Sequence, residues 1–161
     1  MLKRLALAAL AAVFFLSVAA ACGNKPKAEE HAHYRAPNGD LQEKTASIET
    51  LPSFLDNQRE EIRTAYKLAA AHAGLLDSIP CYCGCGGSAG HRSNKNCFIR
   101  EIADEGTVVW DDHGTRCAVC IETALAAAMM NGQGKSVRDI RAAIDEAYKE
   151  GYAKPTPTPM P

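Results

Sequence analysis

Aromatic side chains are scarce in this 161-residue chain; they make up 6% of it, with a single tryptophan. A core drawn mainly from alanine, isoleucine and leucine buries little apolar area, so a domain of about 100 residues built this way is marginally stable without a cross-link or a metal. A second long hydrophobic run is also missing. After the first 21 residues no apolar stretch of about 20 residues recurs, which leaves the body of the chain in solvent. Neither sign of charge dominates, with 18 Lys and Arg against 19 Asp and Glu. No basic patch marks a nucleic-acid partner and no polybasic run marks an anionic membrane surface. Common catalytic patterns are absent as well: there is no Ser/His/Asp arrangement, no phosphate-binding glycine loop and no paired-carboxylate motif, and Asp111-Asp112 reads as a helix start. A binding protein, not an enzyme, is the expectation.

Against these shortages stand seven cysteines. Pro80-Cys81-Tyr82-Cys83-Gly84-Cys85-Gly86-Gly87 places three thiols within five residues, Cys97 follows, and Cys117 and Cys120 form a Cys-x-x-Cys. The seventh, Cys22, belongs to a different context. Lys3 and Arg4 precede an apolar run from Leu5 to Val18, the layout of an export signal. Ala19-Ala20-Ala21-Cys22 resembles the lipobox of bacterial lipoproteins, in which the cysteine is lipidated and becomes the mature N-terminus. Residues 1–21 therefore read as a lipoprotein signal peptide, and the protein as lipid-anchored through Cys22 on the extracytoplasmic face of a bacterial cell membrane. Loss of Lys3 and Arg4 takes the 18 basic groups to 16, against 19 acidic ones, a net charge of −3.

Residues 22–48 read as a flexible tether, polar and turn-rich. Its His31 and His33 are expected to be solvated. Residues 49–152 read as a mainly α domain of about three helices. The first runs from about Gln58 to Ala71, with Glu60 and Glu61 near its positive end and Ile62, Tyr66, Ala69 and Ala70 on its buried face. The second runs from Asp112 or His113 to Met130, and the third from Val137 to Tyr148 behind a Ser136 N-cap. Residues 80–97 read as an irregular cysteine/glycine-rich loop, and Cys97-Phe98-Ile99 as the opening of a helical turn. Gly106–Trp110 is the one good strand signal, too little for a sheet. Residues 153–161 read as a Pro/Thr tail outside the core.

Three chemistries compete for the sulfurs. An even set of six cysteines in an exported protein fits a disulfide framework. However, neighbours in Cys-x-Cys close only small, strained rings. Thiol–disulfide exchange would use Cys117-x-x-Cys120, with the helix dipole and Arg116 lowering the first thiol's pKa. Metal binding accounts for most of the set: Cys81, Cys83, Cys85, Cys97, Cys117 and Cys120 supply sulfur, and His91 and His113 supply nitrogen. On a continuous helix His113, Cys117 and Cys120 stand at i, i+4 and i+7, one face opposite the loop. Sulfur-rich sites select Cu(I), Zn(II) or an iron–sulfur cluster. The surplus of ligands points to a multinuclear site, with Cu(I) placed ahead of Zn(II) and iron–sulfur last. Sequestration or delivery would then require a metal donor or acceptor protein as partner.

Over residues 50–152 the chain resembles a bacterial family named for its PCYCGC motif, mostly predicted lipoproteins. The shared pattern is Leu51-Pro52-Ser53-Phe54, Pro80 to Gly86, Gly90-His91-x-Ser93, Cys97-Phe98, and His113 with Cys117-x-x-Cys120. The resemblance implies an extracytoplasmic address and an intact motif. It names no ligand.

Overall fold

A computed structural model describes residues 32–161. The signal segment, Cys22 and His31 lie outside the described residues. The chain forms a four-stranded antiparallel sheet with helices packed against it, so the mainly α expectation is wrong. The strands are β1 (Ala32–Arg35), β2 (Leu41–Thr45), β3 (Ile99–Ile102) and β4 (Val108–Asp111), in spatial order β1-β2-β4-β3. Among the described residues five helices accompany them: α1 (Glu60–Ala71), α2 (Ala73–Leu76), α3 (Gly86–Ala89), α4 (Ala118–Gly132) and α5 (Val137–Ala147). Three 3-10 turns lie at Ser53–Leu55, Asn94–Cys97 and Asp112–Arg116.

Half of the sheet comes from the segment expected to be a tether. His33 pairs with Glu43 and Tyr34 with Gln42 across the first hairpin, whose turn closes with the Gly39 N–H donating to the Ala36 carbonyl at 2.8 Å. In turn, β2 pairs with β4, Gln42 opposite Asp111 and Thr45 opposite Val108. The sequence signal failed because β2 buries polar residues on both faces, Gln42 on one and Glu43 and Thr45 on the other. Each has a hydrogen-bond partner, as a buried polar group requires. Gln42 Nε2 donates to Asp111 Oδ2 at 2.6 Å, and Thr45 Oγ1 accepts from Trp110 Nε1 at 2.8 Å. The Glu43 carboxylate accepts from the Ser53 N–H at 2.6 Å and from the Ser53 hydroxyl at 2.9 Å, capping the first 3-10 turn.

Tyr66 of α1 joins the helical layer to the sheet. It is fully buried, and its hydroxyl donates to the Asp111 carbonyl at 2.6 Å. Its ring meets Phe98 edge-on at 5.0 Å and Phe54 at 5.8 Å, with Trp110 tilted at 6.3 Å. Four of the few aromatic residues thus meet at one junction. Helix α1 packs on α4, and α4 on α5.

The expected long helix is broken. Residues 112–116 make a separate 3-10 turn, and α4 starts at Ala118 with Cys117 extended at φ −124°, ψ 96° as its N-cap. The turn packs so closely on its neighbours that only glycine fits at 114, where a Cβ would lie 2.8 Å from the Phe98 ring and 2.9 Å from the Cys97 carbonyl oxygen. Residues 94–97 form a turn that ends where β3 begins, not a helix opening at Cys97.

The Pro/Thr tail is also part of the fold. Thr156 and Thr158 are buried. Thr156 N–H donates to the Cys81 carbonyl at 3.1 Å and its Oγ1 accepts from the Cys81 N–H at 3.0 Å, while the Ala153 N–H donates to the Tyr82 carbonyl at 3.2 Å. Thr158 Oγ1 donates to the Arg92 carbonyl at 2.6 Å. The tail therefore straps the cysteine loop.

Two substitutions check this framework. Tyr66→Phe removes one buried hydrogen bond without changing the packing and should cost about 1–2 kcal/mol in urea unfolding. Thr156→Val leaves the Cys81 N–H without its acceptor, so hydrogen exchange at that amide should accelerate while amides in α1 keep their protection.

Candidate metal-binding site

The cysteine loop, the turn at residues 94–97 and the start of α4 deliver their sulfurs to one place. Cys120, fully buried on the first turn of α4, is at the centre. Its Sγ lies 3.9 Å from that of Cys81 and 3.7 Å from that of Cys83, and Cys97 Sγ lies 3.7 Å from Cys81 Sγ. Two donor groups result, each with all ligand atoms within 4.8 Å of one another: Cys83, His113, Cys117 and Cys120, and Cys81, Cys97 and Cys120. His91, also buried, places Nδ1 3.5 Å from Cys97 Sγ. Its ring meets that of His113 edge-on, with centroids 4.7 Å apart. Of the eight donors expected from the sequence, two join neither group: Cys85, half-buried at the start of α3, and His91, which groups instead with Asp40 and His113.

Those separations have a chemical meaning. Zn–S bonds of about 2.3 Å in a tetrahedral site hold their sulfurs about 3.8 Å apart. Three of the four Sγ–Sγ separations match that edge. The fourth, Cys81 to Cys83 at 3.0 Å, runs between the two groups and not within either. Among the described residues all six cysteines are free thiols.

His113 does not reach the cluster along a helix face, as the sequence spacing implied, but from the 3-10 turn before α4. Its Nδ1 faces Asp40 Oδ2 at 3.0 Å, which leaves Nε2 as the nitrogen free to ligate. A carboxylate behind a histidine in this way fixes tautomer and ring orientation in metal sites. Asp40 is held in turn by Arg116, whose Nη2 donates to Oδ1 at 2.6 Å, and the same guanidinium clamps Asp112. Arg116 is therefore engaged with carboxylates rather than with Cys117. The thiol contact with Cys120 pulls the Cys117 pKa down, yet the Cys83 thiolate and burial raise it further, to about 11. This is the reverse of an activated exchange cysteine.

Elsewhere the thiols split. Hydrogen bonds from Cys117, then Cys120 and Cys81, push Cys83 far below the usual thiol range. The hydrogen bond with Cys120 takes Cys81 down to about 5. Cys120 is driven up, by its contact with Cys117 first and then Cys81 and Cys83. His113, hydrogen-bonded to the Cys83 thiolate and backed by Asp40, rises to about 9. The result is an imidazolium–thiolate pair inside a proton-sharing network.

Three residues around the cluster carried no sequence signal. Asp40 sits in a turn of the supposed tether. Asn94, fully buried, donates through Nδ2 to the Cys120 carbonyl at 3.2 Å. Thr156 lies in a stretch that reads as polyproline, although its alternation with Thr158 is the period of a strand.

The fold and site define a small α/β domain with a converging Cys/His donor set. The chain belongs to the family described as protein of unknown function with PCYCGC motif, whose family model matches residues 10–161. Searches among curated proteins and among solved structures returned no match.

Thiolate character sets an order of reactivity in the reduced, metal-free protein. At pH 7 iodoacetamide should modify Cys83 before Cys85, because burial first, and then the neighbouring Cys83 sulfur, hold the Cys85 pKa up at about 12. Peptide mapping of a time course reads the order directly, and faster labelling of Cys85 would contradict the charge distribution.

Proposed function

We propose that this protein is a lipid-anchored extracytoplasmic metal-binding protein that holds a soft d10 ion, Zn(II) or Cu(I), in its Cys/His cluster for sequestration or delivery. The observation that carries this reading is the set of sulfur separations near 3.8 Å, the spacing of thiolates sharing one such ion. Five thiols and two imidazoles stand in the cluster, and the ligand types suit Zn(II) and Cu(I) and exclude hard cations such as Mg(II) and Ca(II). Binding requires each thiol to lose its proton and His113 to become neutral, so occupancy should fall as the pH is lowered. Cys117 and Cys85 are only half-buried, which gives an incoming or outgoing ion a sulfur to meet at the surface. A donor or acceptor protein would engage there. Cys22 supplies the anchor; among the described residues no helix is long and apolar enough to cross a membrane.

Native mass spectrometry of the full chain, purified without air in detergent, should show bound Zn or Cu that is lost on acidification. A mass corresponding to three disulfides and no metal, unchanged after mild reduction and addition of Zn(II) or Cu(I), would overturn the reading. The anchor is tested separately: Cys22→Ala should move the protein out of the membrane fraction or block its processing, and unchanged retention and processing would refute lipidation.

A further inference from the structure

We propose that the cluster is a dinuclear centre in which Cys120 is the bridging thiolate between two Cys3His sites. This rests on the metal-binding reading above and specifies its architecture. One ion takes Cys83, Cys117, Cys120 and His113. The other takes Cys81, Cys97 and Cys120, with His91, whose Nδ1 lies 3.5 Å from Cys97 Sγ but outside that three-sulfur group, turning in as the fourth ligand. Cys120 is the sulfur common to both groups, and it faces both loop sulfurs, 3.9 Å from Cys81 and 3.7 Å from Cys83. Each group without sharing would have too few ligands: the second has two other thiols and one imidazole, three donors where a tetrahedral ion needs four. Sharing Cys120 completes both.

The surroundings fit that role. Cys120 has no solvent exposure, so no water competes for its second lone pair. Its backbone is fixed at both ends, the N–H donating to Cys117 Sγ at 3.3 Å and the carbonyl accepting from Asn94 Nδ2 at 3.2 Å. The two imidazoles meet edge-on, with centroids 4.7 Å apart, and each has a nitrogen within 4.8 Å of an Asp40 oxygen. Each has its own origin, His113 backed by Asp40 and His91 set beside Cys97.

Charge selects the oxidation class of the pair. Five thiolates around two divalent ions leave one net negative charge, whereas two Cu(I) ions leave three. A buried site tolerates the smaller imbalance far better, so the pair is assigned as Zn(II)-type. The order expected from sequence, copper first, is thereby reversed. Loading with divalent ions releases the protons of the bound thiols and involves no change of oxidation state.

Cadmium-113 NMR of the full chain in detergent micelles tests the arrangement, with Cd(II) as the probe for Zn(II). Two resonances of equal area are expected, each split by coupling to the other through the shared sulfur. Proton–cadmium correlation should connect the Cys120 β-protons to both signals, and those of Cys83 and Cys97 to one each. Cys120→Ser should abolish the coupling and reduce bound Cd(II) from two ions to at most one, whereas Cys85→Ser should leave both signals and their coupling intact. His91→Ala should perturb one resonance and His113→Ala the other. A single bound ion, two uncoupled resonances, or a different cysteine correlating with both would overturn the bridge while leaving metal binding standing. No cadmium signal at all, with thiols reduced, would overturn metal binding itself. If Cys120→Ser does not fold, the wild-type correlation spectrum decides alone, because it identifies the bridging residue without substitution.

Discussion

The arrangement depends on one crowded atom, the Sγ of Cys120. Thiols from a loop, a 3-10 turn and a helix start gather around it inside a protein interior. Without a cation this is an electrostatically poor arrangement. A hydrogen-bonded set of thiols gives up its first protons readily, because neighbouring S–H groups stabilise the thiolates formed. Further protons are then hard to remove, since adjacent anions in a low dielectric repel strongly. The lowered Cys83 and Cys81 and the raised Cys120 express that competition. A soft cation reverses the sign of the problem, because every repulsive thiolate becomes a ligand.

Keeping the sulfurs together requires a frame that does not relax away from them, and much of this frame is polar. Asp111 illustrates it. Its backbone carbonyl accepts from Tyr66, while its carboxylate accepts from Gln42 of β2 and from the His113 N–H. Helix α1, the sheet and the turn carrying His113 are thus tied to one residue at the end of β4. Asp112 repeats the pattern through the Leu41 N–H at 2.9 Å and through Arg116. In a chain with so few large apolar side chains, satisfied buried hydrogen bonds supply direction that hydrophobic packing alone does not. Such bonds are individually modest. Losing a partner, however, leaves a buried polar atom stranded, so the network is stiff against single changes.

What the sequence could reveal follows from these physical roles. Helices α1 and α5 were legible because their apolar residues repeat at helical spacing and their first turns carry acid or a Ser136 cap. The convergence of loop and α4 cysteines was legible from residue chemistry. The sheet was not, because β1 is exposed along its whole length and β2 buries hydrogen-bonded polar groups in place of an alternating apolar set. Nor was the break at Cys117 readable: nothing local forbids a helix through residues 112–120, and only the approach of Phe98 makes Gly114 obligatory. His113, Cys117 and Cys120 were expected together on one helix face. They meet instead because the chain leaves a 3-10 turn, extends at Cys117 and then enters α4. Asp40 shows the limit most clearly, since its partners His113 and Arg116 lie more than seventy positions away.

The motif itself reads differently once the frame is in place. Its thiols have three fates: Cys81 falls in one donor group, Cys83 in the other, and Cys85 in neither. The residues between them are structural. Tyr82 stacks on Tyr148 with ring centroids 4.8 Å apart and donates its hydroxyl to Asp145, which fastens the loop to α5. Gly84 has φ +86°, a backbone conformation that sends Cys83 and Cys85 in different directions. Gly86 lies under the tail, where a Cβ would come within 2.5 Å of Thr156 Cγ2. On the dinuclear reading proposed above, the close spacing of the three cysteines would not place three ligands on one ion. It would let a short loop, clamped by α5 on one side and by the tail on another, serve two ions and keep one thiol aside. If two ions are bound, Cys85 is the sulfur of the motif still available, next to Cys83 in sequence and half-open to solvent. An ion passing to or from a partner protein would meet it without any bond inside the centre having to break first.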